Sequence, residues 1–135
     1  GFYMGGAQVL WRYRFIFSSA TEFIFRDPWL ANEYRDFTDH SLQQMVRIIE
    51  LVTAAHGNGI CLDARQIRRI AENKWILWIA WPRYSELRAG DTGVQEEDFA
   101  RGLEQIFDQL SPYINERFRL ETAGAIHRFV EALSR

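Results

Sequence analysis

Three histidines, one cysteine and several groups of carboxylates are the residues through which this chain could do nucleophilic, acid–base or metal chemistry. His40, His56 and His127 fall on separate segments, and no Cys or His pair has the spacing of zinc ligands. No metal site is expected. Cys61 follows His56 closely, as a thiol and its base could. Gly57-Asn58-Gly59 lies between them, however, and nothing nearby would orient the base. The pair reads as a helix end followed by a half-buried thiol. Asp36 with Asp39, and Glu96-Glu97-Asp98, bring carboxylates together, but at these spacings they read as solvated helix faces or first-turn charges. No catalytic residue and no cofactor are expected, and the chain is read as not an enzyme. Gly57-Asn58-Gly59 lacks the Gly-Lys-Ser/Thr ending and the preceding strand of a phosphate loop. Trp11-Arg12-Tyr13-Arg14 interleaves basic and aromatic residues as single-strand binders do. With two arginines on a helix, it reads instead as guanidiniums flanking a core stripe.

Two features ask for more. Asn73-Lys74 stands just ahead of the apolar run 75–81, and a polar pair entering an enclosed segment needs partners. Either both side chains reach the helix rim, or they supply a polar handle in an aromatic pocket. The second feature is Thr122-Ala123-Gly124-Ala125 inside the last helical segment. Glycine there costs about 1 kcal/mol relative to alanine. Small side chains let another helix approach closely. That helix could be internal, but a homodimer contact is the favoured reading.

The elements that would carry these residues are helical. A chain of 135 residues fits one domain, spanning 1–135. The 15% aromatic content favours cores, interfaces and ligand pockets. A formal net charge of -2 shows no basic excess for gripping a phosphate backbone. One cysteine allows no internal disulfide and fits a reducing cytoplasm. No apolar run reaches the ~18 residues of a membrane span.

Five helices are expected, and almost no strand. The first covers about 6–26, with Val9, Tyr13, Phe17, Ala20 and Ile24 on one stripe. Asp27-Pro28 caps and opens the second, which runs to about Ala55, with room for a bend at Thr38-Asp39-His40-Ser41. His56-Gly57-Asn58-Gly59 ends it, with glycine or asparagine in the left-handed conformation. The third opens on a capping box, Asp63 with Gln66, and runs to about Arg88. Its segment 75–81 is apolar all round and is expected to be enclosed. Pro82 predicts a kink and frees the Trp78 carbonyl as a second polar handle. Glu96-Glu97-Asp98 opens the fourth helix. Ser111-Pro112 is read as the cap and first turn of the fifth, running from about Tyr113 to Leu133.

Trp11-Arg12-Tyr13-Arg14-Phe15, Arg26-Asp27-Pro28-Trp29-Leu30, Tyr34-Arg35, Ala71-Glu72-Asn73-Lys74-Trp75 and Leu110-Ser111-Pro112-Tyr113 follow one another in an order that resembles the C-terminal region of TetR-type transcriptional regulators. The resemblance implies an all-α, five-helix effector-binding domain whose last two helices form a four-helix dimer interface. It implies Tyr13, Phe17, Trp75 and Trp78 as pocket walls and Asn73 as the polar group. Phe99, Leu103, Phe107, Phe118, Ala125 and Phe129 would form much of the homodimer seam. The effector would be a small apolar or aromatic molecule. DNA would be bound only through an N-terminal helix-turn-helix domain, expected upstream of Gly1, and effector binding would relieve operator binding. A free-standing helical scaffold for a protein partner is the alternative. A small helical enzyme is a third reading, and it needs convergent titratable groups in the pocket.

Overall fold

A computed structural model of the chain describes residues 26–133 and Arg135. Among these residues there are four α-helices, two short 3-10 turns and no strand. The expected first helix lies outside them, together with Tyr13 and Phe17; its last residue, Arg26, sits in a turn.

Helix α1 spans Pro28–His56. The Asp27 carboxylate accepts from the Trp29 and Leu30 amides, and Pro28 occupies the first turn, where its missing N–H costs nothing. The polar stretch at 38–41 does not break the helix. It runs through as continuous helix because Ser41 and Leu42 turn inward and are buried.

The end of α1 differs from expectation. Gly57 is extended (φ -63°, ψ 161°) rather than left-handed, and its role is close approach. A Cβ on it would collide with the Thr53 carbonyl oxygen of the last helical turns. This backbone pairs as an isolated antiparallel bridge with Ile114, far along the chain. The Asn115 amide donates to the His56 carbonyl (2.8 Å), and the Asn58 side-chain amide donates to the Pro112 carbonyl (2.8 Å). Gly59 takes the positive φ, +92°.

Helix α2 spans Ala64–Ala89. Both halves of its capping box are present: Gln66 N–H donates to the Asp63 carboxylate, and the Asp63 N–H donates to the Gln66 side chain. The helix continues through Pro82. Segment 75–81 is not enclosed all round, since Ile76 is 63% exposed while Trp81 is buried. The buried residues Ile67, Ala71, Lys74, Trp81 and Ser85 recur at steps of three, four and seven residues and define one inward stripe.

A 3-10 turn, Gly90–Thr92, leads to helix α3, Glu96–Asp108. Asp98 accepts from the Gln95 amide in a second capping box, and Glu96, Glu97 and Asp98 occupy the positive first turn. That backbone bond is the largest influence holding the Asp98 carboxyl below its usual range, and the nearby Arg101 adds to it.

The last helix, α4, is Glu116–Leu133 and starts later than the sequence pattern suggests. Ser111-Pro112 opens only a 3-10 turn, Ser111–Tyr113. Ile114 is then extended, paired with Gly57 and buried in the core. The helix takes its cap from Asn115, whose side-chain oxygen accepts from the Phe118 amide at 2.8 Å.

The helices pack in chain order, α1 on α2, α2 on α3 and α3 on α4. One core group joins Leu42, Met45 and Ile49 of α1 to Ile67 and Ala71 of α2 and to Leu110 and Ile114. A second joins Phe99 and Leu103 of α3 to Ile126 of α4, with Trp78 against it. The ion pairs on the described surface link residues three or four apart on one helix, such as Arg68–Glu72 and Arg117–Glu121, and contribute little individually.

Candidate functional site

Between the two core groups lies a cavity of about 350 Å³. That is at the lower end of the range in which small-molecule sites are found. Helix α1 contributes Ile48 and Val52, and α3 contributes Phe107. Leu110 and Ile114 come from the linker, and Phe118, Ala123 and Ile126 from α4. These side chains make an apolar wall. The 3-10 turn and the cap of α4 place them: by ending α3 at Asp108 and delaying α4 to Glu116, they turn Ile114 inward and leave Phe118 facing α1. The Phe118 ring stacks on His56 of α1, with centroids 4.1 Å apart and planes within 5°.

One charged group stands inside this wall. Lys74 of α2 lines the cavity and is 2% exposed. It is the one lysine of the chain; the rest of its 16 Lys+Arg are arginines. Its Nζ donates to the Ile106 carbonyl oxygen and sits 5.9 Å from the centroid of the Phe107 ring. Ile106 belongs to the last turn of α3, whose carbonyls lack partners within the helix and carry its negative pole. Burial pushes the Lys74 amine down to about 8, with the Asp108 carboxylate pulling the other way. Glu104, Asp108 and Arg119 also line the cavity, but all three are exposed to water. The buried charge is therefore positive and the solvated rim carries both signs.

The expected pocket residues are placed differently. Asn73 is exposed, because about 100° of helix rotation separates neighbouring residues and Lys74 holds the inward position. Trp75 packs against the first core group and meets Phe37 edge-on, with centroids 5.6 Å apart. Trp78 packs against the second core group. Neither tryptophan, nor Asn73, lines the cavity. Of the Asn73-Lys74 pair that the sequence offers as a polar handle, Lys74 and not Asn73 is the inward residue. The step from Ile67 through Ala71 to Lys74 and on to Trp81 marks it as inward, and that spacing is visible in the sequence.

The expected seam residues also divide. Phe99 (6% exposed) and Leu103 (2%) are buried in the chain's own core and have no surface to offer a second copy. Phe107 and Phe118 line the cavity. Phe129 packs at the edge of the second core group, and Ala125 is half-buried. In the small-residue stretch on α4, a Cβ at Gly124 would meet, among the described residues, only the Arg128 guanidinium, at 3.3 Å.

His40 and His127 are exposed on different helices, and Cys61 is exposed in the loop before α2. Among the described residues, no three His, Cys, Asp or Glu side chains come together as a metal site, and no helix is long and apolar enough to cross a membrane.

What the described residues define is an all-helical domain folded around an apolar cavity whose wall includes a buried basic group, Lys74. The chain belongs to the TetR family of bacterial transcriptional repressors, whose model matches residues 3–121; such proteins are regulators and not enzymes. Among solved structures it is similar to a TetR-family transcriptional regulator from Marinobacter aquaeolei VT8, at 22% identity and a TM-score of 0.68. That similarity covers 89% of this chain and 56% of the other, so the chain spans little more than half the length of the protein it resembles. No curated protein matches the chain.

Proposed function

We propose that this chain is the effector-binding and dimerisation part of a TetR-family regulator, with the cavity between α1, α3 and α4 as its effector site. The cavity itself carries this reading. It is large enough for a small molecule, it is apolar on most of its wall, and it is bounded by four helices and the linker. A ligand there touches α1, α2, α3 and α4 together, so it can favour one helix arrangement over another. The effector is small and largely apolar or aromatic. Operator binding belongs to a helix-turn-helix domain outside this sequence, and effector binding relieves it.

Pairing of α3 and α4 with their copies in a second chain forms the dimer. The surface at Gly124 supports this, because among the described residues only the flexible Arg128 side chain comes near an added Cβ there, and a small-residue position of this kind admits a helix at short distance. Ala125 and Phe129 are the seam candidates that keep access to a second copy.

A thermal-shift screen of small apolar and aromatic compounds tests the effector site. A ligand that binds only the folded state raises the melting temperature, by an amount that grows with its concentration over Kd. Filling the cavity with Ala123→Phe is expected to abolish the stabilisation. If compounds stabilise the wild type and the filled variant alike, the effector site lies elsewhere.

A further inference from the structure

Among the described residues, six polar side chains line the otherwise apolar cavity: Lys74, Glu104, Asp108, Ser111, Arg119 and Thr122. They divide by whether the chain already uses them. Lys74 is engaged within the chain, by the Ile106 carbonyl and the Phe107 ring among other contacts. Arg119 pairs with Glu116, at 3.6 Å. Glu104 and Asp108 are exposed, so water solvates their charges without help from a ligand. Two groups remain. The hydroxyls of Ser111, which opens the second 3-10 turn, and of Thr122, on α4, have no hydrogen-bond partner among the described residues. Both residues are half-buried, and neither oxygen is sealed away from solvent. A hydroxyl donates one hydrogen bond and accepts two, so it can serve a carbonyl, ether or hydroxyl oxygen with no charge on either side.

We propose that the effector is an uncharged amphiphile: an apolar or aromatic body against Ile48, Val52, Phe107, Phe118 and Ile126, and one or two neutral oxygen groups (ketone, ester or hydroxyl) bonded to the Ser111 and Thr122 hydroxyls. This rests on the cavity being the effector site. The charges around the cavity point the same way as the hydroxyls. Two positive and two negative side chains line it and offset each other, so the wall favours neither sign. A cation that enters meets Lys74 in the wall, and an anion meets Glu104 and Asp108 of α3. An ion taken from water without a partner also forfeits its hydration, whereas a neutral oxygen exchanges one hydrogen bond for another.

The test keeps one body and varies its head. The 135-residue chain is titrated by calorimetry at pH 7 with 4-phenylbutan-2-one, 4-phenylbutan-1-ol, 4-phenylbutyrate, 4-phenylbutylammonium and butylbenzene. Occupancy of the cavity is read from a separate signal. Lys74 is the one lysine of the chain and lines the cavity, so protein grown with lysine labelled at 13Cε gives one lysine resonance, whose shift reports a ligand there. The ketone and the alcohol are expected to move that resonance and to bind about tenfold or more tightly than the acid and the amine. Ser111→Ala with Thr122→Val removes two hydroxyls that bond to nothing in the described chain, so the double variant is expected to fold as the wild type does. It is expected to bind the ketone and the alcohol about two- to tenfold more weakly and butylbenzene as before. Acid or amine binding as tightly as the ketone would overturn the uncharged class. A double variant that weakens nothing, or weakens butylbenzene equally, would overturn the two hydroxyls as the ligand's partners. Both of those results leave the cavity standing as the effector site. No binding by any of the five, or binding that leaves the Lys74 resonance unmoved, means that the cavity is not the site, and the inference then fails together with the reading it rests on.

Discussion

The indole of Trp81 fills the space that a Cβ on Gly102 would need, its Nε1 lying 2.5 Å from that point. The ring cannot easily retreat, because Nε1–H donates to the Asp98 carbonyl at 2.7 Å and the side chain is buried. Glycine at 102 is therefore what allows α2 and α3 to cross closely, and that crossing sets where Lys74 meets the end of α3.

Gly102→Ala is expected to destabilise the chain. A helical alanine in place of glycine gains about 1 kcal/mol from propensity. Overpacking against a fixed indole costs about 1–3 kcal/mol and prevails. Chemical denaturation of the two proteins checks the sign. Equal or greater stability of the alanine variant would mean that the indole gives way freely.

The burial of Lys74 predicts a pH dependence. Its amine is pushed down to about 8 in the folded chain and returns to the ordinary lysine range, near 10.5, on unfolding. Between these values the unfolded state binds more protons, so stability rises with pH across that window. Below about 8 both states are protonated and the cost of burying the charge is fully present. The stability of the wild type relative to Lys74→Met is thus expected to increase from pH 8 to pH 10, by on the order of a few kcal/mol. A difference that stays flat over this range would show that the amine titrates as if solvated.

Gly124→Leu separates folding from association. Among the described residues only the Arg128 side chain lies within 4 Å of a Cβ added at 124, so the protomer is expected to keep its helical content and melting behaviour as a monomer. Light scattering at micromolar concentration is expected to show a dimer for the wild type and a weakened one for the variant. An unchanged dimer mass would move the seam off this face of α4.

Asn115→Ala removes the cap of α4 and is expected to cost about 0.5–2 kcal/mol. The loss falls on the helix that closes the cavity through Phe118 and Ile126. Any compound found to bind there should lose affinity in parallel, as titration calorimetry would reveal.

Much of the fold was legible in the sequence where the signal is local. Asp27-Pro28, the Asp63–Gln66 box and Glu96-Glu97-Asp98 fix the starts of three helices through bonds made within a few residues. Ser111-Pro112 carries the same kind of signature as Asp27-Pro28, yet opens only a 3-10 turn. The difference is non-local: Ile114 pairs with Gly57, and Asn115 donates to His56. The site was less legible. An apolar stripe on α3 says that Phe99 and Leu103 are covered, but not whether the cover is α4 or a second chain. The polar group of the cavity was one residue away from Asn73, and only the register of α2 distinguishes the two.

The central claim is that effectors occupy the cavity beside Lys74, and the single lysine resonance tests it most directly. Any compound that raises the melting temperature, acid or neutral, is added to saturation and the 13Cε shift is read. Occupancy of the cavity predicts a changed shift, lost when Ala123→Phe fills the space. A stabilising compound that leaves the Lys74 resonance where it was would contradict the account.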